Sequence, residues 1–204
     1  MVWQLVRLYL VKSIDLKHVP EITRLLEEGE ELHDLQKLPP EKILIRWLNY
    51  HLEKDGTDRR VSNFGKDLAD GDVYIRVIHQ LDKNSLSKDL LNEDDKVKRG
   101  QGIIKGAEKL GVTSAIKPSD IASGNVKLNT LFCSLIFNAK HGLAELEADD
   151  YEAAKMLEDD AEGTKEERSY RLWINSLGIE DVNITNLYEE CKDGMLLLRV
   201  IDKI

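Results

Sequence analysis

The sequence predicts an all-helical fold in which one helical unit occurs more than once. Through residues 39 to 146, apolar side chains recur at the spacing of a helix face, and no long alternating β-branched run predicts a strand. An internal repeat is the second observation. Trp47-Leu48-Asn49 returns as Trp173-Ile174-Asn175, and Val61-Ser62-Asn63-Phe64 returns as Ile184-Thr185-Asn186-Leu187, at offsets of 126 and 123 residues. A self-match at this period indicates one folded unit that is reused along the chain.

The repeat and the composition divide the chain into five parts. The expected parts are the last helix of an earlier copy at 1–14, a linker with a short helix at 15–38, the complete unit at 39–146, an acidic linker at 147–164, and the front part of a further copy at 165–204. The last copy stops where a domain of ordinary size would be less than half complete. We therefore expect a fragment of a longer protein, with a truncated copy at each end.

Each helix of the complete unit has a start or stop signal in the sequence. Two prolines open the first helix, Gly111 ends a later one, and Asp120 is expected to cap a short one. Residues 82 to 95 are polar, and at most one turn of helix is expected there. The predicted helices are one opened by Pro39 and Pro40, one after Asp70-Gly71, one from about Lys96 to Leu110, a short one from Pro118 to about Gly124, and an apolar one through Leu128 to Ile136.

Outside this unit, Pro20 is expected to begin the short linker helix and Gly29 to break it. Thr164 and Glu167 have capping-box spacing at the start of the further copy. The repeated tryptophans, Trp47 and Trp173, are predicted core anchors.

The net charge of −9 is concentrated in one stretch, because nine carboxylates and a single lysine lie between residues 145 and 162. No apolar run approaches the roughly 20 residues of a membrane-spanning helix, and the apolar start lacks the features of a signal peptide. Two cysteines, Cys133 and Cys191, do not suggest a disulfide framework, so a reducing intracellular setting is expected. Cys133 lies in an apolar segment and is predicted to be buried rather than catalytic.

Residues 117 to 129 read Lys-Pro-Ser-Asp-Ile-Ala-Ser-Gly-Asn-Val-Lys-Leu-Asn, which closely resembles the late signature of a calponin-homology domain. The Trp-x-Asn of the first helix and the later Asp70-Gly71 agree with that pattern. Residues 38 to 52 and 58 to 64 narrow the resemblance to the fimbrin (plastin) family. The chain then resembles the middle of such a protein, with the tail of a first calponin-homology domain, all of a second and the front of a third.

The resemblance implies binding and bundling of actin filaments in the cytoplasmic actin cytoskeleton, without catalysis, cofactor or metal. In the family, one filament-binding segment matches residues 2 to 12 here and another matches residues 40 to 54. The candidate contacts are Trp3, Arg7, Lys12, Lys42, Arg46, Asn49, Tyr50, Lys54, Arg59 and Arg60. The implied partners are filamentous actin and neighbouring calponin-homology domains of the longer chain. Nucleic acid is not expected, and self-association through the truncated ends is an alternative fate of the chain.

Other interpretations of the same residues remain open. Exposed charges are the normal state of a surface, so the basic residues of the first helix could be simply solvated. The complete unit could act as a spacer or scaffold that binds a regulator or microtubules, or it could bind phosphoinositides through Arg59-Arg60. An enzyme is the least expected class, because no nucleophile, base and orienting group are visible together. Asp67 to Asp72 lacks the spacing and the distal glutamate of an EF-hand, and the five histidines have no convincing ligand spacing.

Overall fold

The computed structural model describes residues 14–16, 18–113, 115–146, 165–179, 182–184, 186–192 and 194–203. The predicted helix at 1–14, with Trp3, Arg7 and Lys12, lies outside them except for its last residue. The acidic linker at 147–164, with the predicted cap Thr164, also lies outside. The chain divides into two compact units at Lys155, and each is described by itself.

All regular structure in the described ranges is helical, which confirms the all-helical part of the prediction. The α-helices of the first unit are α1 (Leu32–Gln36), α2 (Pro40–Lys54), α3 (Asp72–Leu81), α4 (Lys96–Lys109), α5 (Pro118–Ala122) and α6 (Val126–Ala139), with 3₁₀ helices at Pro20–Leu25 and Lys88–Asn92. The second unit contains α7 (Lys165–Ser176), α8 (Leu187–Glu190) and α9 (Met195–Lys203).

The helix ends follow from local side-chain and backbone chemistry. The carboxylate of Asp95 accepts from the backbone N–H groups of Val97 and Lys98 at 2.8 and 3.2 Å, so the first turn of α4 is capped. Asp120 caps α5 as predicted, by accepting from the backbone N–H of Lys117 at 2.9 Å. Gly71 precedes α3 with a φ of +77°, and a Cβ there would lie 2.6 Å from a buried isoleucine of α4, so only glycine fits.

The core of the first unit forms around the inner face of α2. Trp47 is fully buried and meets Phe137 of α6 edge to face, with ring centroids 5.4 Å apart. The rest of that face, Leu44, Leu48 and His51, recurs at helical spacing and is also buried. Burying each large apolar side chain stabilises the fold by about 2–3 kcal/mol. The helical arrangement therefore depends on contacts between α2 and α6, which are far apart in sequence.

Three glycines inside α4 allow neighbouring segments to approach that helix closely. A Cβ at Gly100 would lie 2.8–2.9 Å from Pro118, at the start of α5. At Gly102 it would lie 2.6 Å from the end of the Leu90 side chain, and Gly106 packs in the same way against Leu86. Glycine is unfavourable inside a helix by about 1 kcal/mol relative to alanine, so this packing accounts for its use. The spacing is a packing feature and not a dinucleotide-binding fingerprint.

Residues 15–38, here called the connector, pack onto the first unit. Ile22 and Leu25 of its 3₁₀ helix are 0% and 5% exposed, and Leu35 of α1 is fully buried in the same core. Between these anchors, Gly29 adopts a φ of +82° as the chain turns, in keeping with the predicted break. The connector is therefore an integral cover of α2 and not a free tether.

The second unit has a small core of Ile174, Ile184, Leu196 and Val200. The prediction that Trp173 is a core anchor is wrong, because this side chain is 44% exposed. In the first unit, Trp47 is covered by α6 and the residues after it, and the described residues from 165 to 203 contain no helix that corresponds to α6. The helix partner, rather than the Trp-x-Asn sequence, determines whether the tryptophan is buried.

Candidate functional site

Seven of the predicted contacts fall within the described residues, and they lie on α2 and the loop that follows it. We call this set the α2 face: Lys42, Arg46, Asn49, Tyr50, Lys54, Arg59 and Arg60. The structure brings them together on neighbouring segments, but it gives them two different roles. Some are held by partners within the domain, and the others project to solvent.

Arg46 is held by the connector. Its two terminal nitrogens donate to the two carboxylate oxygens of Glu30 at 2.6 and 2.7 Å, and its Nε lies 3.4 Å from Glu27. The hydrogen bonds from Arg46 lower the pKa of Glu30 to about 2, and the arginine side chain remains only 16% exposed. The sequence left Arg46 as either a filament contact or a solvated charge, and it gave no sign of this partner sixteen residues earlier.

Asn49 pins the loop after α2 to the helix. Its side-chain amide donates to the carbonyl of Val61 at 3.0 Å, and its carbonyl accepts from the Val61 N–H at 2.7 Å. The same pair of bonds, here called the asparagine bridge, joins Asn175 to Ile184 at 3.0 and 2.7 Å. The asparagine of Trp-x-Asn therefore closes a loop in both units. The loop is three residues shorter in the second unit, which accounts for the change of the repeat offset from 126 to 123 residues.

Arg59 is also engaged within the domain. Its guanidinium lies 2.8 Å from Asp70 and 3.8 Å from Asp72, and it donates to the carbonyl of Asp67 at 2.9 Å. The Asp67 carboxylate accepts from the N–H groups of Ser62 and Asn63, and these bonds lower its pKa despite the opposing effect of burial. The carboxylates of this loop are thus occupied by internal donors.

A buried charge cluster, missed in the sequence, lies beneath the loop. The side chain of Asp55 is 0% exposed; it accepts from Arg76 at 2.8 Å and Gln80 at 2.9 Å, and it pairs with Lys88. Burial alone would raise the pKa of Asp55, but the hydrogen bonds from these donors lower it overall. Arg76 also pairs with Asp72 at 2.8 Å. The cluster fixes the end of α2 against α3, and only the local Asp72–Arg76 spacing of four residues signals it in the sequence.

Of the remaining members of the α2 face, Lys42, Lys54 and Arg60 are exposed, whereas Tyr50 is half-buried and packs against the core. Lys42 is exposed and makes no ion pair among the residues that the structure describes. The Lys54 ammonium lies 4.3 Å from the ring centre of Tyr50, a cation–π geometry that orients both side chains. Arg60 is 51% exposed; one terminal nitrogen donates to the Thr57 and Arg59 carbonyls at 3.0 Å, and the other lies 3.8 Å from Glu53. Lys42, Lys54 and Arg60 form the accessible part of the face, bordered by the Tyr50 ring.

Opposite this surface, two aromatic side chains of α2 share one acceptor. Trp47 Nε1 donates to the His141 carbonyl at 2.7 Å, and His51 Nε2 donates to the same oxygen at 2.9 Å. Burial lowers the pKa of His51 to about 4, so the ring is neutral near pH 7. These bonds attach the segment after α6 to the inner side of α2.

Cys133 is buried as predicted. Burial raises the pKa of its thiol to about 12, and its sulfur lies 3.6 Å from the Tyr74 hydroxyl, so the inert form is favoured. Tyr74 donates to Asn129 at 3.0 Å, and Asn129 donates to the Phe64 carbonyl at 2.9 Å. This polar chain is internally satisfied and holds the signature helix α6 against the loop before α3.

Within the described ranges, no three histidine, cysteine or carboxylate side chains lie close enough together to hold a metal ion. Among the same residues, no helix is both long and apolar enough to cross a bilayer. The accessible part of the α2 face is a basic surface on a core-anchored helix and the loop after it, which is suited to recognition of an acidic partner.

Comparison with known proteins agrees with this architecture. Residues 38–142 match the family model of the calponin homology (CH) domain. The chain is 40% identical over its whole length to fimbrin of Saccharomyces cerevisiae and covers 31% of that protein. It is 38% identical to fimbrin of Dictyostelium discoideum, where the match covers 99% of this chain and 32% of the relative. For human plastin-3 the identity is 32%, with 100% of this chain and 33% of the relative covered.

A solved structure, the actin-crosslinking core of Schizosaccharomyces pombe fimbrin, matches with a TM-score of 0.59 at 33% identity, covering 99% of this chain and 36% of that chain. None of these relatives carries the name of an enzyme. The chain spans about a third of the length of the curated relatives it matches.

Proposed function

Because the chain belongs to the calponin-homology family, in its fimbrin and plastin branch, we propose that it is part of a non-enzymatic protein that binds and cross-links actin filaments. The observation that carries this proposal is similarity along the entire chain, joined by the likeness to a structure described as an actin-crosslinking core. The working location is then the actin cytoskeleton of the cytoplasm.

In this proposal, residues 39–146 are one complete calponin-homology domain, and residues 165–204 begin the next one. The recurrence of the asparagine bridge, from Asn49 to Val61 and from Asn175 to Ile184, supports a second copy of the same design. Residues 1–14 would end a preceding domain, and 147–164 would join the two larger parts. Neighbouring domains of the longer protein are then its intramolecular partners.

The accessible part of the α2 face is the proposed contact with actin. Lys42, Lys54 and Arg60 are exposed and can meet an acidic surface, with the half-buried Tyr50 ring beside Lys54, whereas Asn49 and Arg59 are occupied within the domain. Placing a cation opposite a carboxylate steers the encounter and sets the register of the complex. Trp3, Arg7 and Lys12 remain proposed contacts on sequence resemblance alone.

Cosedimentation with filamentous actin tests the proposal, using the full-length protein that carries this chain. Replacing Lys42 and Lys54 together by glutamate is expected to weaken binding about tenfold, since each reversed rim charge costs about 0.7 kcal/mol. The matched control reverses Lys98 and Lys105, which are exposed on a different helix, α4; it is expected to bind normally. Absence of pelleting by the unmodified protein would refute actin binding.

One alternative has a specific observation behind it. Arg46, Asn49 and Arg59 all have partners within the domain, so few of the candidate residues are available to contact a filament. This observation favours a spacer role, in which the domain itself does not bind actin. Unchanged actin affinity after reversal of Lys42 and Lys54 would favour that role. Phosphoinositide binding through Arg59-Arg60 is less favoured, since Asp70 already neutralises Arg59.

A further inference from the structure

The connector is acidic where it crosses α2. Between residues 20 and 37 it carries six carboxylates against one arginine and one lysine. The polar side of α2 is basic, so the two segments attract each other within the folded domain. As a consequence, Arg46 of the α2 face is already paired with a carboxylate of the same chain, that of Glu30.

That contact uses all three nitrogens of the Arg46 guanidinium. Both terminal nitrogens reach the carboxylate of Glu30 at 2.6 and 2.7 Å, Nε faces Glu27 at 3.4 Å, and a terminal nitrogen also lies 3.4 Å from the Leu25 carbonyl. Four of the five N–H groups face these partners, and only one N–H of the second terminal nitrogen is left. Bidentate pairing of Arg46 with an external carboxylate therefore requires that Glu30 first be displaced.

The segment that makes the contact is built to move without unfolding the domain. Residues 26–31 lie between two apolar anchors, Leu25 on one side and Leu35 on the other, and they contain no helix. Gly29 has open space around its Cβ position, and Glu27 is largely exposed. Leu26 is the one apolar side chain of the segment and is only partly buried, whereas residues 27 to 29 are exposed. A segment with so few buried apolar contacts opens locally at low cost in free energy.

We propose that residues 26–31 are an autoinhibitory clasp that masks Arg46 on the α2 face, and that an acidic filament surface displaces Glu30 to bind the freed guanidinium. This inference rests on the proposed actin binding and adds its regulation. Binding then requires the open clasp, so the apparent affinity is reduced by the fraction of molecules in which the clasp is open. Any change that loosens Glu30 raises the affinity.

The test compares Glu30→Gln with Glu28→Gln in the full-length protein that carries this chain. Both remove one negative charge, but Glu28 is exposed and is not a partner of Arg46. Glu30→Gln is expected to tighten actin binding about three- to tenfold, which corresponds to a clasp open in about 10–30% of molecules. Hydrogen exchange at residues 26–31 is expected to accelerate in Glu30→Gln alone.

A second variant separates unmasking from a general change in charge. Adding Arg46→Ala to Glu30→Gln is expected to remove the gain in affinity, because the freed guanidinium is the group that binds. The clasp is refuted if Glu30→Gln binds as tightly as the unmodified protein or more weakly, or if the gain survives loss of Arg46. Failure of the proposed function looks different, since the unmodified protein would then not pellet with actin at all.

Discussion

Acidification should destabilise the first unit through His51. This side chain is 2% exposed, and burial lowers its pKa from the ordinary 6.5 to about 4, while the unfolded chain keeps the ordinary value. The neutral form is therefore favoured by folding. The associated stability is present above pH 6.5 and is lost progressively as the pH falls towards 4. With these two pKa values, the free energy of unfolding falls by about 2.5 kcal/mol between pH 7 and pH 4.5.

The measurement is urea unfolding at those two pH values, for the unmodified chain and for His51→Gln. Glutamine can still donate to the His141 carbonyl but does not titrate, and carboxylates that titrate in this range contribute equally to both proteins. The difference between the two pH dependences therefore isolates His51. If both proteins lost the same stability, or if the imidazole titrated near 6.5 in an NMR experiment on the folded chain, the assignment of a buried neutral histidine would be wrong.

Three further predictions concern packing and polar contacts, and thermal or urea unfolding checks each one. Gly100→Ala should destabilise the unit by about 1–2 kcal/mol despite better helix propensity, because the new Cβ meets the backbone of α5; Gly102→Ala, which meets only a flexible leucine end, should cost less. Arg76→Leu should cost about 3 kcal/mol by leaving a buried carboxylate poorly paired, whereas Arg60→Leu at the surface should change little; equal effects would contradict the buried cluster. Asn49→Ala should cost about 2 kcal/mol by leaving two backbone groups unpaired, and a cost near zero would refute the asparagine bridge.

The elements of the fold could be predicted because their signals are local. A proline at the first turn, a capping carboxylate such as Asp120, and the helical spacing of Leu44, Trp47 and Leu48 all act within a few residues. The structure follows these signals closely. Packing between distant segments has no such local signal. The close approach of α5 to Gly100, for example, could not be predicted from the presence of a glycine in the sequence.

The candidate site was harder to predict because its side chains find partners outside their own helix. The sequence placed Arg46 and Asn49 on the polar side of α2, which is correct, but it did not predict that Glu30 and Val61 would occupy them. Arg59 likewise reaches Asp70 across the loop. Charge and helical position identify which residues face outward, whereas availability for a partner depends on what folds over them.

Comparison of the two units shows which contacts depend on nearby sequence and which depend on a distant helix. Asn49 and Asn175 make the same hydrogen bonds because their partners lie only 12 and 9 residues away, so each loop closes by itself. Trp47 depends on a carbonyl 94 residues away and on the ring of Phe137, so its burial requires α6. Trp173 has the same local sequence but no such helix among the described residues, and it remains exposed. The Trp-x-Asn motif therefore specifies the asparagine bridge on its own, whereas burial of Trp47 depends on packing against α6.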